Sequence, residues 1–306
     1  MIPLEEQILQ LTEQRGPLSG SEILQATGEE GLVLWRTCKQ SRALSLLTVG
    51  TRYLRLDRRI GGFARLSPSI LREFLTYTVV GPSHNRASLL QRAQKITSHI
   101  EEVSRAKSEL AYTVVAALAA RFEHALPIQD HVCFIIAGDI VYNMAHDVPR
   151  PERSTGKLVK GSDVDLVVIV GPFFPKDLME KLDEAIYLEK SRLLRTPHLQ
   201  EEIDYIVKDV NRVTEQLQFD SFKHMVACKI LHEGTFLYGS DALFQWIKSR
   251  LKEYGVHEKL QRMEEASFQF RKKAEEYLLT ESLQTIQEGD LSLFYPVEES
   301  EEFSLF

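Results

Sequence analysis

Asp163 and Asp165 stand two positions apart at the head of Asp163-Val164-Asp165-Leu166-Val167-Val168-Ile169-Val170, a nearly uninterrupted β-branched run of the kind that forms a buried strand. Side chains at i and i+2 leave a strand on the same face, with Cα atoms about 7 Å apart, so the two carboxylates can converge. Placing two like charges at the start of an apolar strand costs several kcal/mol unless cations compensate them. Hard divalent cations are the natural partners of carboxylate oxygens. A pair of Mg2+ ions about 4 Å apart, with Mn2+ as an alternative, clamps the attacking and leaving oxygens of a phosphoryl transfer.

Such chemistry needs a third carboxylate from a neighbouring strand, and Glu202-Ile203-Asp204-Tyr205-Ile206-Val207 supplies a β-prone run with acids near its start. Asp204 would ligate the metal beside the attacking hydroxyl or take that hydroxyl's proton. Glu202, on the same face by parity, competes for the role. Upstream, Val132-Cys133-Phe134-Ile135-Ile136-Ala137-Gly138 reads as a strand ending in a tight turn, followed by a helix over 139–145. A turn of that kind brings backbone N–H groups and a helix's positive end to one point, which makes Gly138 and Asp139 candidates for holding a nucleotide's phosphates. The polar loop 146–160 contains Ser154-Thr155-Gly156-Lys157 and Lys160, a flap whose lysines can add charge to those phosphates. Ser162, directly before the first aspartate, can hydrogen-bond a phosphate oxygen.

These motifs, over roughly 134–239, resemble the DNA polymerase beta-like nucleotidyltransferases. Their signature is a Gly-Ser or Gly-Gly turn, a helix, an Asp-x-Asp strand and a later lone Asp; Asp204 matches the last through its Ile-Asp-Tyr-Ile setting. The run from Lys229 to Gly239 is similar to the closing segment of the small bacterial and archaeal members. The resemblance implies a mixed sheet flanked by helices, two Mg2+ ions held by Asp163, Asp165 and Asp204, and transfer of a nucleoside monophosphate from an NTP such as ATP with release of pyrophosphate. The chain departs from the pattern at Gly138-Asp139, where the family usually has Gly-Ser, and in the long connection from Gly138 to Asp163.

Around that core the sequence predicts an α+β protein. Helical spacing over 4–14, a serine cap ahead of a second helix ending at Ala26, a third helix over 29–41, and two β-prone runs over 43–57 meeting at Gly50 as a hairpin together read as a winged helix. Nine Lys or Arg and a single acid, Asp57, lie between Arg36 and Arg72. Arg36, Lys39 and Arg42 would then sit at the exposed end of the third helix, with Arg52 and Arg55 on the wing, as contacts for RNA or DNA. The stripe Leu89, Ala93, Ile96, Ile100, Val103 and Leu110 predicts a long helix over 83–125 packed on the catalytic body. After Gly239, helices over 241–254 and 257–279 predict a helical cap. The expected organisation is a winged-helix domain at 1–80, linker helices at 81–125, a nucleotidyltransferase domain at 126–240, and a C-terminal helical region with an acidic tail at 241–306.

The formal net charge of −7 argues against a protein that coats nucleic acid, so any polymer contact must be local to the basic segment. Cys38, Cys133 and Cys228 are too few and too scattered for a disulfide framework or a structural zinc, and read as packing residues. The sequence lacks a run long enough for a membrane span and starts without the pattern of a signal peptide, which predicts a cytoplasmic location. Three functions fit: transfer of a nucleotide to a nucleic-acid end or a protein, synthesis of a small nucleotide messenger or modification of a small molecule, and nucleotide sensing by a winged-helix transcriptional regulator.

Overall fold

The computed structural model describes residues 2–122, 128–152, 155–296 and 299. Arg153, Ser154 of the expected flap, residues 123–127 where the expected linker meets the next expected domain, and residues 297, 298 and 300–306 of the acidic tail lie outside the described residues. The fold is mixed α and β with several small sheets. Internal packing divides the chain into two units, one of residues 1–55, 64–100 and 264–306, the other of 56–63 and 101–263.

The first unit begins with α1 (Leu4–Arg15), β1 (Leu18–Ser19), α2 (Gly20–Thr27), α3 (Gly31–Gln40), β2 (Leu44–Thr48), β3 (Tyr53–Leu56), β4 (Ala64–Ser67), α4 (Ile70–Tyr77) and β5 (Thr78–Pro82). The serine cap expected ahead of α2 is present. Ser19 Oγ accepts from the Glu22 N–H at 3.2 Å, and the Glu22 carboxylate accepts from the Ser19 N–H at 2.7 Å. The hairpin expected at Gly50 is not: β2 pairs with β5, β3 pairs with β4, and the three-stranded sheet runs β1-β5-β2. The reason is apolar content. Val79 and Val80 of β5 are fully buried and give β1 and β2 a central strand, which outweighs the short loop between β2 and β3.

α5 (Arg86–Phe122) is the long helix expected from the stripe. Leu89 and Ala93 pack with Val79 in the first unit, whereas Val103 and Leu110 lie against the core of the second. The second unit continues with α6 (Ile128–His131), β6 (Val132–Ala137), β7 (Pro149–Pro151), β8 (Leu158–Lys160), β9 (Val164–Val170), α7 (Lys176–Arg195), β10 (Ile203–Asp209), α8 (Val210–Gln216), α9 (Phe222–Glu233), β11 (Thr235–Gly239) and α10 (Asp241–Glu253). Its main sheet has the order β10-β9-β6-β11, with β10 parallel to β9 and the other pairings antiparallel. Leu166, Val168 and Val170 from β9 join Val114 and Leu118 of α5 and Leu182 and Ile186 of α7 in one buried cluster. That apolar layer is why β9 forms so firmly, and it fixes where the head of the strand emerges.

The C-terminal region does not form the single cap expected. α11 (Val256–Thr280) is divided between the units at residue 263, and its later part, with α12 (Leu291–Phe294), belongs to the first. Ala274, Leu278 and Phe294 pack there with Ile8, Ile23, Trp35 and Phe74, so apolar residues of the tail close the core of the N-terminal module. The three cysteines are buried and free, as expected for packing residues. Among the described residues no helix is long and apolar enough to cross a membrane.

Candidate metal and phosphate site

β9 and β10 run side by side with Asp165 opposite Asp204, and Asp163 sits one step before β9. One carboxylate oxygen from each of Asp163, Asp165 and Asp204 lies within 4.8 Å of the other two. Magnesium–oxygen bonds are about 2.0–2.1 Å, so a small rotation of these side chains lets them share divalent ions. Desolvation, followed by the charges of Asp163, Asp139, Asp204 and Glu233, holds the Asp165 carboxyl well above the usual carboxylate range. Crowded carboxylates with such a raised proton affinity are what bound cations would relieve, and the donor set, all oxygen, suits Mg2+ or Mn2+.

Asp204 and Glu202 have different neighbours. Arg150, on β7, places Nη2 2.9 Å from Glu202 Oε2 and 3.7 Å from Asp163 Oδ1. Its Nε donates to the Gly161 carbonyl at 2.7 Å. Glu202 is thereby committed to an ion pair. Asp204 is open to solvent, with Lys190 Nζ of α7 3.7 Å from its Oδ1, and it joins the convergent set.

Two glycines are required by geometry. Gly138 has φ +71°, and a Cβ there would lie 2.0 Å from Asp165 Oδ2. Gly161 has φ +58°, and a Cβ there would lie 1.9 Å from the His146 carbonyl oxygen. Gly138→Ala is expected to displace the Asp165 carboxylate and to lower the thermal stability of the second unit by roughly 1–3 kcal/mol, measurable by calorimetry. An unchanged midpoint together with unchanged Mn2+ binding would contradict this account of the turn.

Several expected phosphate contacts are placed differently. The helix expected over 139–145 is a 3-10 helix over Gly138–Tyr142, ended by Asn143 in the left-handed region at φ +53°. Met144, Ala145 and His146 are buried after it, and the Ala145 N–H donates to Ser104 Oγ of α5. So short a helix has little dipole to offer a phosphate. Ser162 is buried; its hydroxyl donates to Asp139 Oδ2 at 2.9 Å and accepts from the His146 N–H at 3.2 Å. That answers what Asp139 does beside the turn: it is held by Ser162, and its charge is felt at Asp165. Loop 146–160 is not a free flap, because β7 and β8 pair within it. Lys160 Nζ donates to the His198 carbonyl at 2.8 Å, and Lys157 is exposed on the connection between the two strands.

Charged residues not singled out from sequence lie beside the Gly138 turn. The Gly138 N–H points at Glu233 Oε1, at 3.4 Å, and Lys229 Nζ lies 2.5 Å from Glu233 Oε2. The only signal in sequence was the Lys-Glu spacing of four on α9, which ordinarily marks a solvated helix face. Lys248 of α10 donates to the carbonyls of Leu231, His232 and Gly234, all within 2.8 Å, and fixes the end of α9 where Glu233 stands.

In the first unit, the five basic residues separate into two groups. Arg36 donates to the carbonyls of Leu278, Glu281 and Leu279 at 2.8, 2.6 and 3.3 Å, capping the C-terminal end of α11. Arg52 forms a forked pair with Glu73 at 2.5 and 2.7 Å and reaches Glu275 at 3.2 Å. Both guanidiniums are thus used inside the unit rather than presented to a polymer. Lys39, Arg42 and Arg55 are exposed. Arg36→Ala is expected to cost roughly 1–3 kcal/mol of stability, whereas replacing Lys39 and Arg42 together should leave thermal unfolding nearly unchanged. The opposite ranking would show that the cap contributes nothing.

No protein-family model matches the sequence, and neither a curated protein nor a solved structure matches it.

Proposed function

We propose that the chain is a magnesium-dependent nucleotidyltransferase that moves a nucleoside monophosphate from an NTP to a hydroxyl acceptor. One observation carries the reading: Asp163, Asp165 and Asp204 converge within 4.8 Å on the heads of two parallel strands, beside a turn whose glycine admits no side chain. A structural role for three crowded carboxylates is disfavoured by the cost of their repulsion.

Asp163 and Asp165 would hold the metal that carries the triphosphate, and Asp204 would complete the second metal's ligands and orient the acceptor. Magnesium bound there supplies the Lewis acidity that stabilises the charge developing on the transferring phosphoryl group. The acceptor oxygen forms a bond to the α-phosphorus, the bridging bond to the β-phosphate breaks, and pyrophosphate leaves with that electron pair. The acceptor's proton passes to Asp204 or to solvent beside it.

The acceptor reading shifts with the structure. Helix α3, its neighbouring strand β2, and a sheet ordered β1-β5-β2 are compatible with a winged helix carrying a long insertion between its last two strands. Yet α3 turns Arg36 and Gln40 to the carbonyls at the end of α11, and Trp35 meets Phe294 with ring centroids 5.5 Å apart. Part of the face that would enter a groove is therefore engaged within its own unit, while Lys39 and Arg42 stay exposed. This favours a small hydroxyl compound or a nucleotide as acceptor over a nucleic-acid end or a protein brought in by α3. The sensor reading is weaker, since sensing alone does not call for a complete set of three carboxylates. Incubation with each labelled NTP, Mg2+ and separate panels of small acceptors, RNA, DNA and the protein itself, resolved by chromatography and gel, distinguishes the classes. Failure to form any labelled product or pyrophosphate across the panels would count against an enzyme.

A further inference from the structure

Asp139, Asp163, Asp204 and Glu233 all act on Asp165, and an NTP entering this neighbourhood adds several negative charges more. Divalent ions neutralise part of that charge, but the end of the triphosphate farthest from them needs a cation from the protein. Lys160, at the end of β8, is tied to the His198 carbonyl, and Lys157 stands exposed on the connection before that strand. Lys190 faces Asp204 and Arg150 faces Glu202. One cation beside the Gly138 turn is Lys229: its Nζ lies 2.5 Å from Glu233 Oε2 and 5.7 Å from the centre of the ring of Tyr142, the last residue of the 3-10 helix that starts at Gly138. Lys248, nearby, is spent on the carbonyls of Leu231, His232 and Gly234.

Resting on the nucleotidyltransferase reading, we propose that Lys229 is the residue that binds the β- and γ-phosphates, and that Glu233 is their stand-in in the nucleotide-free protein. The Glu233 carboxylate is an anion that already satisfies both groups a phosphate would use, accepting from the Gly138 N–H at 3.4 Å and pairing with Lys229. Its bond to the backbone is long, so a phosphate oxygen can replace it with a better one. Lys229 and Glu233 share α9 at a spacing of one turn, so the exchange needs only side-chain rotation. The device also accounts for Gly138-Asp139 in place of a hydroxyl-bearing turn: with Asp139 held by Ser162, phosphate contact falls to the Gly138 N–H and to Lys229.

The test is equilibrium binding, by calorimetry on the full chain, of α,β-methylene analogues of the four NTPs in Mg2+, with Mn2+ binding followed in parallel without nucleotide. Lys229→Met should weaken analogue binding by about tenfold or more, the scale of one charge-assisted hydrogen bond, and leave Mn2+ binding unchanged. Lys229→Arg should restore most of the affinity. Glu233→Gln, which keeps the shape of the helix end, should tighten binding by about threefold or more, because one like charge leaves the phosphates' side. If Lys229→Met and Glu233→Gln bind the analogues as the wild type does, Lys229 is only a helix ion pair and the proposal is overturned, while the metal-site reading stands. If the wild type binds neither analogue nor Mn2+, the reading beneath it fails as well.

Discussion

Asp165→Asn should reduce nucleotide transfer by at least about a thousandfold, which corresponds to about 4 kcal/mol of lost transition-state stabilisation, the scale expected from disrupting metal ligation. The amide preserves the shape of the side chain at the head of β9 and of the Gly138 turn that closes on it. The fold should therefore survive, and with metal chelated it should become more stable. The sign follows from proton binding. Desolvation and neighbouring charges raise the Asp165 carboxyl in the folded chain, so between the ordinary carboxylate range and that raised value the folded state holds more protons than the unfolded one. The wild type then loses stability as pH rises through this window, and the asparagine variant does not. At neutral pH in chelator the variant's midpoint should lie higher by roughly 2–4 °C, what about 1 kcal/mol produces in a unit of this size. At acid pH, where Asp165 is protonated in both states, the gap should close. Mg2+ should shrink it too, by stabilising only the wild type. Near-normal transfer by Asp165→Asn in Mg2+ would remove Asp165 from the site.

The second large effect concerns the strand beside it. Asp204→Asn should lower transfer by about a hundredfold or more, the low end of what a general base contributes, while analogue binding is kept. Glu202→Gln should lose far less activity, because Glu202 is already committed to Arg150 at 2.9 Å. It should lose some stability instead, since Arg150 loses the nearer of the two described carboxylates beside it and keeps Asp163 at 3.7 Å. Single-turnover rates with analogue affinities separate the two roles. An inactive Glu202→Gln beside an active Asp204→Asn would show that the third carboxylate lies two residues earlier on the chain.

Much of this site could be read in the chain because its signals are local. The parity of Asp163 and Asp165 and the apolar run behind them determine a strand with both acids on one face, whatever else surrounds it. The serine cap of α2 and the stripe of α5 are legible for the same reason: their partners lie within one or two helical turns. Strand pairing is different. That β2 joins β5 rather than β3 depended on which apolar strand could be buried from both sides, a competition between segments some thirty residues apart. The C-terminal helices likewise match any apolar surface by their periodicity, and only packing assigned Leu278 and Phe294 to the N-terminal core.

Charge shows the limit most clearly. In sequence, Arg36 and Arg52 are indistinguishable from Lys39, Arg42 and Arg55, and Lys160 from Lys229. What a cation does is set by which carbonyl or carboxylate the fold brings to it, through distances that no spacing along the chain encodes. The sequence by itself determined that two carboxylates head a buried strand and that glycine, helix and strand surround them. Tertiary structure alone decided that Asp204 rather than Glu202 converges with Asp163 and Asp165, that Arg36 and Arg52 serve their own unit, and that Lys229 stands beside the Gly138 turn, because each depends on charges converging from elements far apart in the chain.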